Sequence, residues 1–357
     1  MSDSKLKSQT FTMPDGRSLH LYGDFSNPPA WPEGEGQHVL GHSHRRWHPV
    51  RREWVVYSAH RQTRTFKPAA NACPLCPEAP DGEIPVKDFS VAVFDNRFSS
   101  LQKHCPKPEP IPGLDALGIA IDSVAGNCEV IVYSADHTGK MGTLPAERRE
   151  LLVRVWGDRI NRLMAELPDV EVVMPFENRG EEAGCTLQHP HGQIYAFPFM
   201  PPVIGTMAQS FKDGYKIQQL AANKTYSVAD TDTVSAFIPP FARLPYEVWI
   251  APKTFRARPS DMTDAEVRDF AALLGQVQRQ YDAFFGRDCP YVMLAYAAPR
   301  GMEDFFPFHV EFYPSLRTAT KLKFLASVEQ GAGSYLVDML PEQAAENLRN
   351  VKLEGSL

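Results

Sequence analysis

At 357 residues, 43% hydrophobic and 22% charged, the chain is long enough for one large or two fused domains and apolar enough to bury a sizeable core. Its net charge of −6 and pI near 6.0 exclude the broad basic field that grips DNA or RNA, while leaving room for a local Arg/Lys cluster that binds a small anion. No apolar run approaches the roughly 20 residues needed to span a bilayer, and the polar start from Met1 to Arg17 lacks the apolar core of a secretory signal, so a cytoplasmic setting is expected.

The first 35 or so residues read as a partly flexible extension, with a Pro/Gly-rich stretch at 28–36. Of the six cysteines, only Cys73 and Cys76 form a close pair. A disulfide framework is the weaker reading for a chain of this length without an export signal. A thioredoxin-like redox pair would open a helix after a strand, and no helical pattern follows Cys76. Two thiolates at this spacing suit one tetrahedral metal, so a zinc knuckle is favoured. Free thiols are the alternative, and His104-Cys105 is a competing source of ligands.

Residues 129–135 read as a buried strand, and Thr143-Leu-Pro-Ala-Glu as a helix start. Residues 146–167 form an amphipathic helix with Leu151, Leu152, Val155, Trp156, Ile160 and Leu163 in one stripe. A strand at 170–176 and an Arg179-Gly180 loop follow. The same order recurs later: a strand at 247–252, a helix over 264–285, a strand at 291–296, then Arg300-Gly301 and a strand from His309. The shift is 120 residues from His189 to His309 and 121 from Arg179 to Arg300 (309 − 189 and 300 − 179). A near-constant offset over several elements indicates duplication or fusion. The predicted class is α+β: two fused halves, each a mostly antiparallel sheet with a flanking helix. The expected division is 1–43 as extension, 44–210 as catalytic domain with the zinc site, and 211–357 as a substrate-binding and structural domain. Where the first half has His189 and His191, this alignment gives the second half His309 and Glu311.

The most informative stretch is Gly184-Cys-Thr-Leu-Gln-His-Pro-His-Gly-Gln193. On a strand, residues two apart share a face, so His189, His191 and Gln193 are expected to project together. Pro190 offers no backbone N–H, so the strand is irregular there. An imidazole with an ordinary pKa of about 6.5 is mostly neutral near pH 7 and available as a nucleophile toward phosphorus. The Gln193 amide suits donation to a phosphoryl oxygen, and Gly184 lets backbone N–H groups approach a phosphate. Two histidines so spaced also suit metal ligation or plain packing.

This stretch resembles the active-site signature of galactose-1-phosphate uridylyltransferases, in the histidine-triad superfamily. The segment from His44-Arg-Arg-Trp-His-Pro-Val to Arg64, Phe176-Glu-Asn-Arg-Gly, Lys323-Phe-Leu-Ala-Ser-Val-Glu and Pro341-Glu-Gln-Ala-Ala-Glu-Asn extend the likeness from about residue 44 to 351. The resemblance implies that His191 is the nucleophile and Gln193 its phosphoryl partner. It implies that Arg61 and Arg64 bind the nucleotide phosphates, that Asn96 lies near uracil and that Asn178 lies near the α-phosphate, with Gly184, Cys185 and Thr186 lining the site. Lys323, Phe324 and Glu329 match the sugar side, which in the family comes partly from the second subunit of a homodimer. The ligands joining Cys73 and Cys76 on one structural Zn²⁺ would be His137 and His189. The implied reaction is ping-pong: UDP-glucose uridylylates His191, and galactose 1-phosphate then leaves as UDP-galactose.

The chain departs from the pattern in places. Met207, Tyr296, His309 and Glu311 stand where some members bind a second metal, and only one of those ligands is kept, so no second metal is expected. Thr186-Leu-Gln replaces Ser-Asn-Pro, while Val328 and Tyr335 replace Tyr and Gln at the sugar end. Rival readings are a histidine-triad transferase or phosphorylase acting on ADP-sugars, a hydrolase of the same intermediate, and a zinc-stabilised binding protein without chemistry.

Overall fold

The computed structural model describes residues 6–28, 41, 43–63, 72–77, 79 and 82–353. Arg64 lies outside the described residues. The strands are β1 (Ser8–Thr12), β2 (Ser18–Phe25), β3 (His44–His48), β4 (Glu53–Tyr57), β5 (Phe89–Asp95), β6 (Ile121–Asp122), β7 (Asn127–Val132), β8 (Val172–Arg179), β9 (His191–Phe197), β10 (Ser227–Asp230), β11 (Val234–Phe237), β12 (Val248–Pro252), β13 (Tyr291–Tyr296) and β14 (His309–Pro314). The helices are α1 (Ala146–Glu166), α2 (Pro202–Lys212), α3 (Ile217–Ala221), α4 (Asp264–Phe285), α5 (Val328–Ala332) and α6 (Pro341–Arg349).

Eleven strands make one antiparallel sheet in the order β1-β2-β5-β7-β9-β8-β13-β14-β12-β11-β10. The first half supplies the first six and the second half the last five, so β8 and β13 form the seam, with Phe176 opposite Leu294 and Arg179 opposite Tyr291. From the seam outward the strands mirror each other: β9 with β14, β7 with β12, β5 with β11. Helices α1 and α4 pack together over one face and bury Trp156, Ile160, Phe270, Leu274 and Tyr281 between helix and sheet. Thr263 caps α4 through a reciprocal box with Glu266, and Gly286 ends it in the left-handed conformation.

The duplication is tighter than the sequence alone suggests. The 3-10 turns Met141–Thr143 and Pro259–Asp261 and the helices that follow them are each 118 residues apart (259 − 141 and 264 − 146). Strand register gives the same value: Phe176 pairs with Gln193, and Leu294 pairs with Glu311. The counterpart of His191 is therefore His309, and that of Gln193 is Glu311, correcting the 120-residue alignment. A two-residue slip keeps every side chain on its own face, so alternation along the strand cannot detect it; only the hydrogen-bonded pairing can.

Residues 8–25, read from sequence as part of an extension, carry the edge strand β1 and its inner neighbour β2 of the main sheet. Leu19, Leu21 and Tyr22 of β2 are fully buried against β5. Helix α2 runs across residue 210 and packs Ile204, Ala208 and Phe211 with Phe237, Trp249 and Phe306 of the second half. A small sheet, β4-β3-β6, is tied to the main sheet by Arg45, which donates to the Pro198 carbonyl just beyond β9; its pair with Asp122 joins β3 to β6 within the small sheet. Among the described residues no helix is long and apolar enough to cross a membrane.

Candidate active site and metal cluster

Strand β9 begins at His191, not at His189, because Pro190 cannot donate to the neighbouring strand; its carbonyl instead accepts from Tyr133 N–H. His189 is thus released from the His191 face and turns into the cysteine knuckle. The ligand-capable atoms of Cys73, Cys76, His137 and His189 all lie within 4.8 Å of one another. They come from three segments: the turn closed by Cys76 N–H to Cys73 O, the loop after β7, and the lead into β9. His189 Nε2–H donates to Ser134 O at 2.8 Å, which leaves the Nδ1 lone pair 3.6 Å from Cys76 Sγ. His137 Nδ1 is 3.3 Å from the same sulfur.

The electrostatics suit a cation. Burial, then the neighbouring Cys73, push the Cys76 thiol up to about 11. Burial, then the His137 and His191 imidazoles, push His189 down to about 4, holding it neutral. A thiol that resists ionising beside a second cysteine, and a neutral imidazole with its lone pair inward, are what a divalent ion compensates. The residues present can hold a metal ion.

His191 Nδ1–H donates to the His189 carbonyl at 2.7 Å. A carbonyl only accepts, so the proton sits on Nδ1 and Nε2 keeps its lone pair. Burial lowers the pKa of His191 against the opposing effect of that hydrogen bond, favouring the neutral imidazole. The cluster residue His189 therefore sets the tautomer of His191 through its own backbone. Gly192 has no room for a side chain: a Cβ there would lie 2.5 Å from Tyr133 Oη and 2.7 Å from the Phe176 carbonyl.

His191 stands where two cavities meet. One, of about 350 Å³, is lined by Arg61, Phe94, Asn96, Phe98, Val130, Gly184 and Gln193, among others. The other, of about 590 Å³, is lined by Tyr133, Lys140, Glu177 and Arg179 among others. Asn178, Cys185, Thr186, Leu187 and His191 border both. Arg61 is held by Ser100 Oγ at 2.6 Å and Tyr195 Oη at 3.3 Å. Asn96 Oδ1 accepts from Phe98 N–H at 2.8 Å, leaving its amide N–H groups to a ligand. Gly184 takes φ +82°, open to glycine at no steric cost.

Among the described residues, the sequence-derived substrate-side set lines the two cavities around His191 except at three positions. Lys323, Phe324 and Glu329 line neither cavity of their own chain. Lys323 is buried against Glu329 at 2.6 Å, and Phe324 is 70% exposed. Sequence reasoning missed Glu177, a buried carboxylate that accepts from Tyr133 and Tyr291 at 2.9 and 2.8 Å and whose pKa burial raises. Its signal was present in Phe176-Glu-Asn-Arg-Gly, where attention fell on Asn178. It also missed Tyr195, which shares a face with His191 and Gln193.

The counterpart site is closed. His309 Nδ1–H donates to Pro307 O at 2.9 Å, repeating the His191–His189 bond, but its ring is fully buried among Phe211, Trp249, Tyr296 and Phe306. Its Nε2 is 3.2 Å from Glu311 Oε1, which in turn accepts from Tyr313 O–H through Oε2. Tyr296, His309 and Glu311 are in direct contact, and Met207 packs in the same cluster.

A doubled antiparallel sheet, with a neutral imidazole between two polar cavities beside a Cys₂His₂ cluster, is the architecture of a nucleotidyltransferase. Residues 35–201 match the N-terminal domain of galactose-1-phosphate uridyl transferases, and residues 205–355 match their C-terminal domain. The chain belongs to this family. It is 36% identical over 320 residues to a galactose-1-phosphate uridylyltransferase of Thermotoga maritima, covering 87% of this chain and 98% of that protein. The Haemophilus influenzae enzyme of the same name is 33% identical, with 86% and 94% covered. A solved uridylyltransferase superposes with a TM-score of 0.76 at 25% identity, covering 86% of this chain and 98% of that one. An ADP-glucose phosphorylase from Arabidopsis thaliana shares the fold at a TM-score of 0.68 and 20% identity, with 88% and 100% covered.

Proposed function

We propose that the chain transfers UMP from UDP-glucose to galactose 1-phosphate through a covalent uridylyl-His191. The observation that carries this is the His191 tautomer: Nδ1 is held by the His189 carbonyl, and Nε2 has no hydrogen-bond partner among the described residues where the two cavities meet. Nε2 attacks the α-phosphorus, the bond to the β-phosphate oxygen breaks, and glucose 1-phosphate departs with that electron pair. A phosphate oxygen of galactose 1-phosphate then attacks the same phosphorus, the P–N bond breaks, and His191 recovers its lone pair. Gln193 and Thr186 are proposed to donate to the phosphoryl oxygens as charge shifts onto them, and Arg61 to offset the phosphate charge. The smaller cavity, with Asn96 and Phe98, suits the nucleoside.

The Cys73, Cys76, His137 and His189 cluster is proposed to hold one structural Zn²⁺, which on binding would fix the lead into β9. Metal analysis should then find about one zinc per chain, lost in Cys76→Ser. Lys323, Phe324 and Glu329 are proposed to serve the hexose at a partner's His191 in a homodimer. Under that reading, residues 44–210 carry the reaction and 211–357 the sugar side and scaffold, in a cytoplasmic setting. Intact-protein mass after brief incubation with UDP-glucose tests the function. One added UMP in the wild type and none in His191→Gly supports it. An adduct formed only from ADP-glucose moves the reading to the adenylyl branch, and rapid UMP release without acceptor moves it to hydrolysis.

A further inference from the structure

The closed second-half site reaches outward through one side chain. The Arg243 guanidinium lies 3.6 Å from Glu311 Oε2 and 4.0 Å from Glu247 Oε2, and Nη2 donates to Tyr313 Oη at 2.6 Å. Both carboxylates are almost fully buried, so this cation offsets charge that the interior would otherwise reject. The same guanidinium lies over two aromatic rings, 5.1 Å from that of Tyr313 and 5.3 Å from that of Tyr335. Tyr313 belongs to β14, whereas Tyr335 belongs to the segment that follows Lys323.

That segment is joined to the body of the protein at its start and then closes on itself. Lys323 N–H donates to Ser315 O just beyond β14, and Lys323 Nζ pairs with Glu329 and donates to Leu336 O at 3.0 Å. Between these ties it presents Phe324, Leu325, Val328 and Leu336 to solvent. Arg243 stacked on Tyr335, followed by the exposed Arg317–Asp338 pair, links its far end to the second-half core.

We infer that Arg243 is a positioning residue for the sugar end of the active site, holding the 323–336 segment in register by stacking Tyr335 on the relic of the second-half site. This rests on the reading that Lys323, Phe324 and Glu329 serve the hexose. The closed site has thereby exchanged chemistry for anchoring: Glu311, standing where the first half has Gln193, supplies the charge that keeps Arg243 in place.

The test compares Arg243→Lys, Tyr335→Leu and Tyr335→Phe in the full chain. Lysine keeps the cation that the carboxylates need but lacks the planar face, and phenylalanine keeps the face but lacks the hydroxyl. Arg243→Lys and Tyr335→Leu should each raise KM for galactose 1-phosphate about tenfold. In both, kcat should stay within about twofold and the affinity for UMP, which lacks a hexose, should be unchanged; Tyr335→Phe should keep the wild-type KM. The inference is overturned by an unchanged KM in the first two variants, by parallel loss of UMP affinity, or by a Tyr335→Phe as impaired as Tyr335→Leu. Phe324→Ala separates the two levels of the reading. An unchanged KM there removes the hexose role of the segment itself, whereas a raised KM alongside a normal Arg243→Lys removes only the positioning.

Discussion

His191 and His309 occupy the same place in two copies of one plan, each donating Nδ1–H to the carbonyl two residues earlier. What differs is the other nitrogen. At His191, Nε2 is left at the meeting point of two cavities; at His309 it faces Glu311 at 3.2 Å under four aromatic rings. A shared backbone device sets the tautomer in both, and the surroundings decide whether the lone pair is spent on a substrate or on the fold. A proton is needed between His309 Nε2 and Glu311, whereas Gln193, an uncharged amide at the matching place, makes no hydrogen bond to His191 among the described residues.

The largest effect should come from exchanging the fates of the two histidines. His191→Ala is expected to lower turnover by on the order of 10⁴-fold or more, as loss of a covalent nucleophile does, with little change in thermal stability. His309→Ala should do the reverse: it opens a void among packed rings and costs on the order of 2–4 kcal/mol of stability, yet the folded protein should still take a UMP adduct by mass. An adduct-deficient but stable His309→Ala would break the contrast.

A smaller effect should follow from writing the second-half residue into the first. Gln193→Glu replaces a donor to the phosphoryl group with a negative charge, and kcat should fall by about 10²–10³-fold. Steady-state kinetics that show only a rise in KM would mean that Gln193 binds ground state and transition state alike.

The smallest effect concerns the reverse exchange. Burial, then the Glu311 charge, raise Glu247 from its ordinary 4.5 to about 7. The folded chain therefore holds a proton that the unfolded chain releases at lower pH. The stability this contributes is present in full below about pH 4.5 and lost as pH rises through about 7. Glu311→Gln lets the amide donate to His309 Nε2 and accept from Tyr313 while removing the charge beside Glu247. Melting curves between pH 5 and 8 should flatten in this variant; an unchanged slope would place the titration elsewhere.

Much of this molecule was legible along the chain. The α4 helix and β13 begin and end where apolar spacing and the Thr263 cap put them, and the stretch from Gly184 to Gln193 stands out as a site by its imidazoles, amide and glycine, its phosphoryl role being what the family resemblance implies. The alignment of the two halves was not legible: a shift of 120 and one of 118 put the same faces inward, and only the pairing of Phe176 with Gln193 and of Leu294 with Glu311 separates them. Nor could β1 and β2 announce their place, since a strand's position in a sheet is set by the neighbours it pairs with.

What the sequence by itself determined is local: which segments coil or extend, which residues carry a lone pair or a charge, and that one plan occurs twice. Tertiary structure alone decided that Cys73, Cys76, His137 and His189 meet, that α2 lays Phe211 against His309, and that Lys323 and Phe324 lie away from their own chain's cavities. The physical reason is that side-chain chemistry and backbone preference are set within a few residues, whereas burial, register and convergence depend on contacts between segments far apart in the chain.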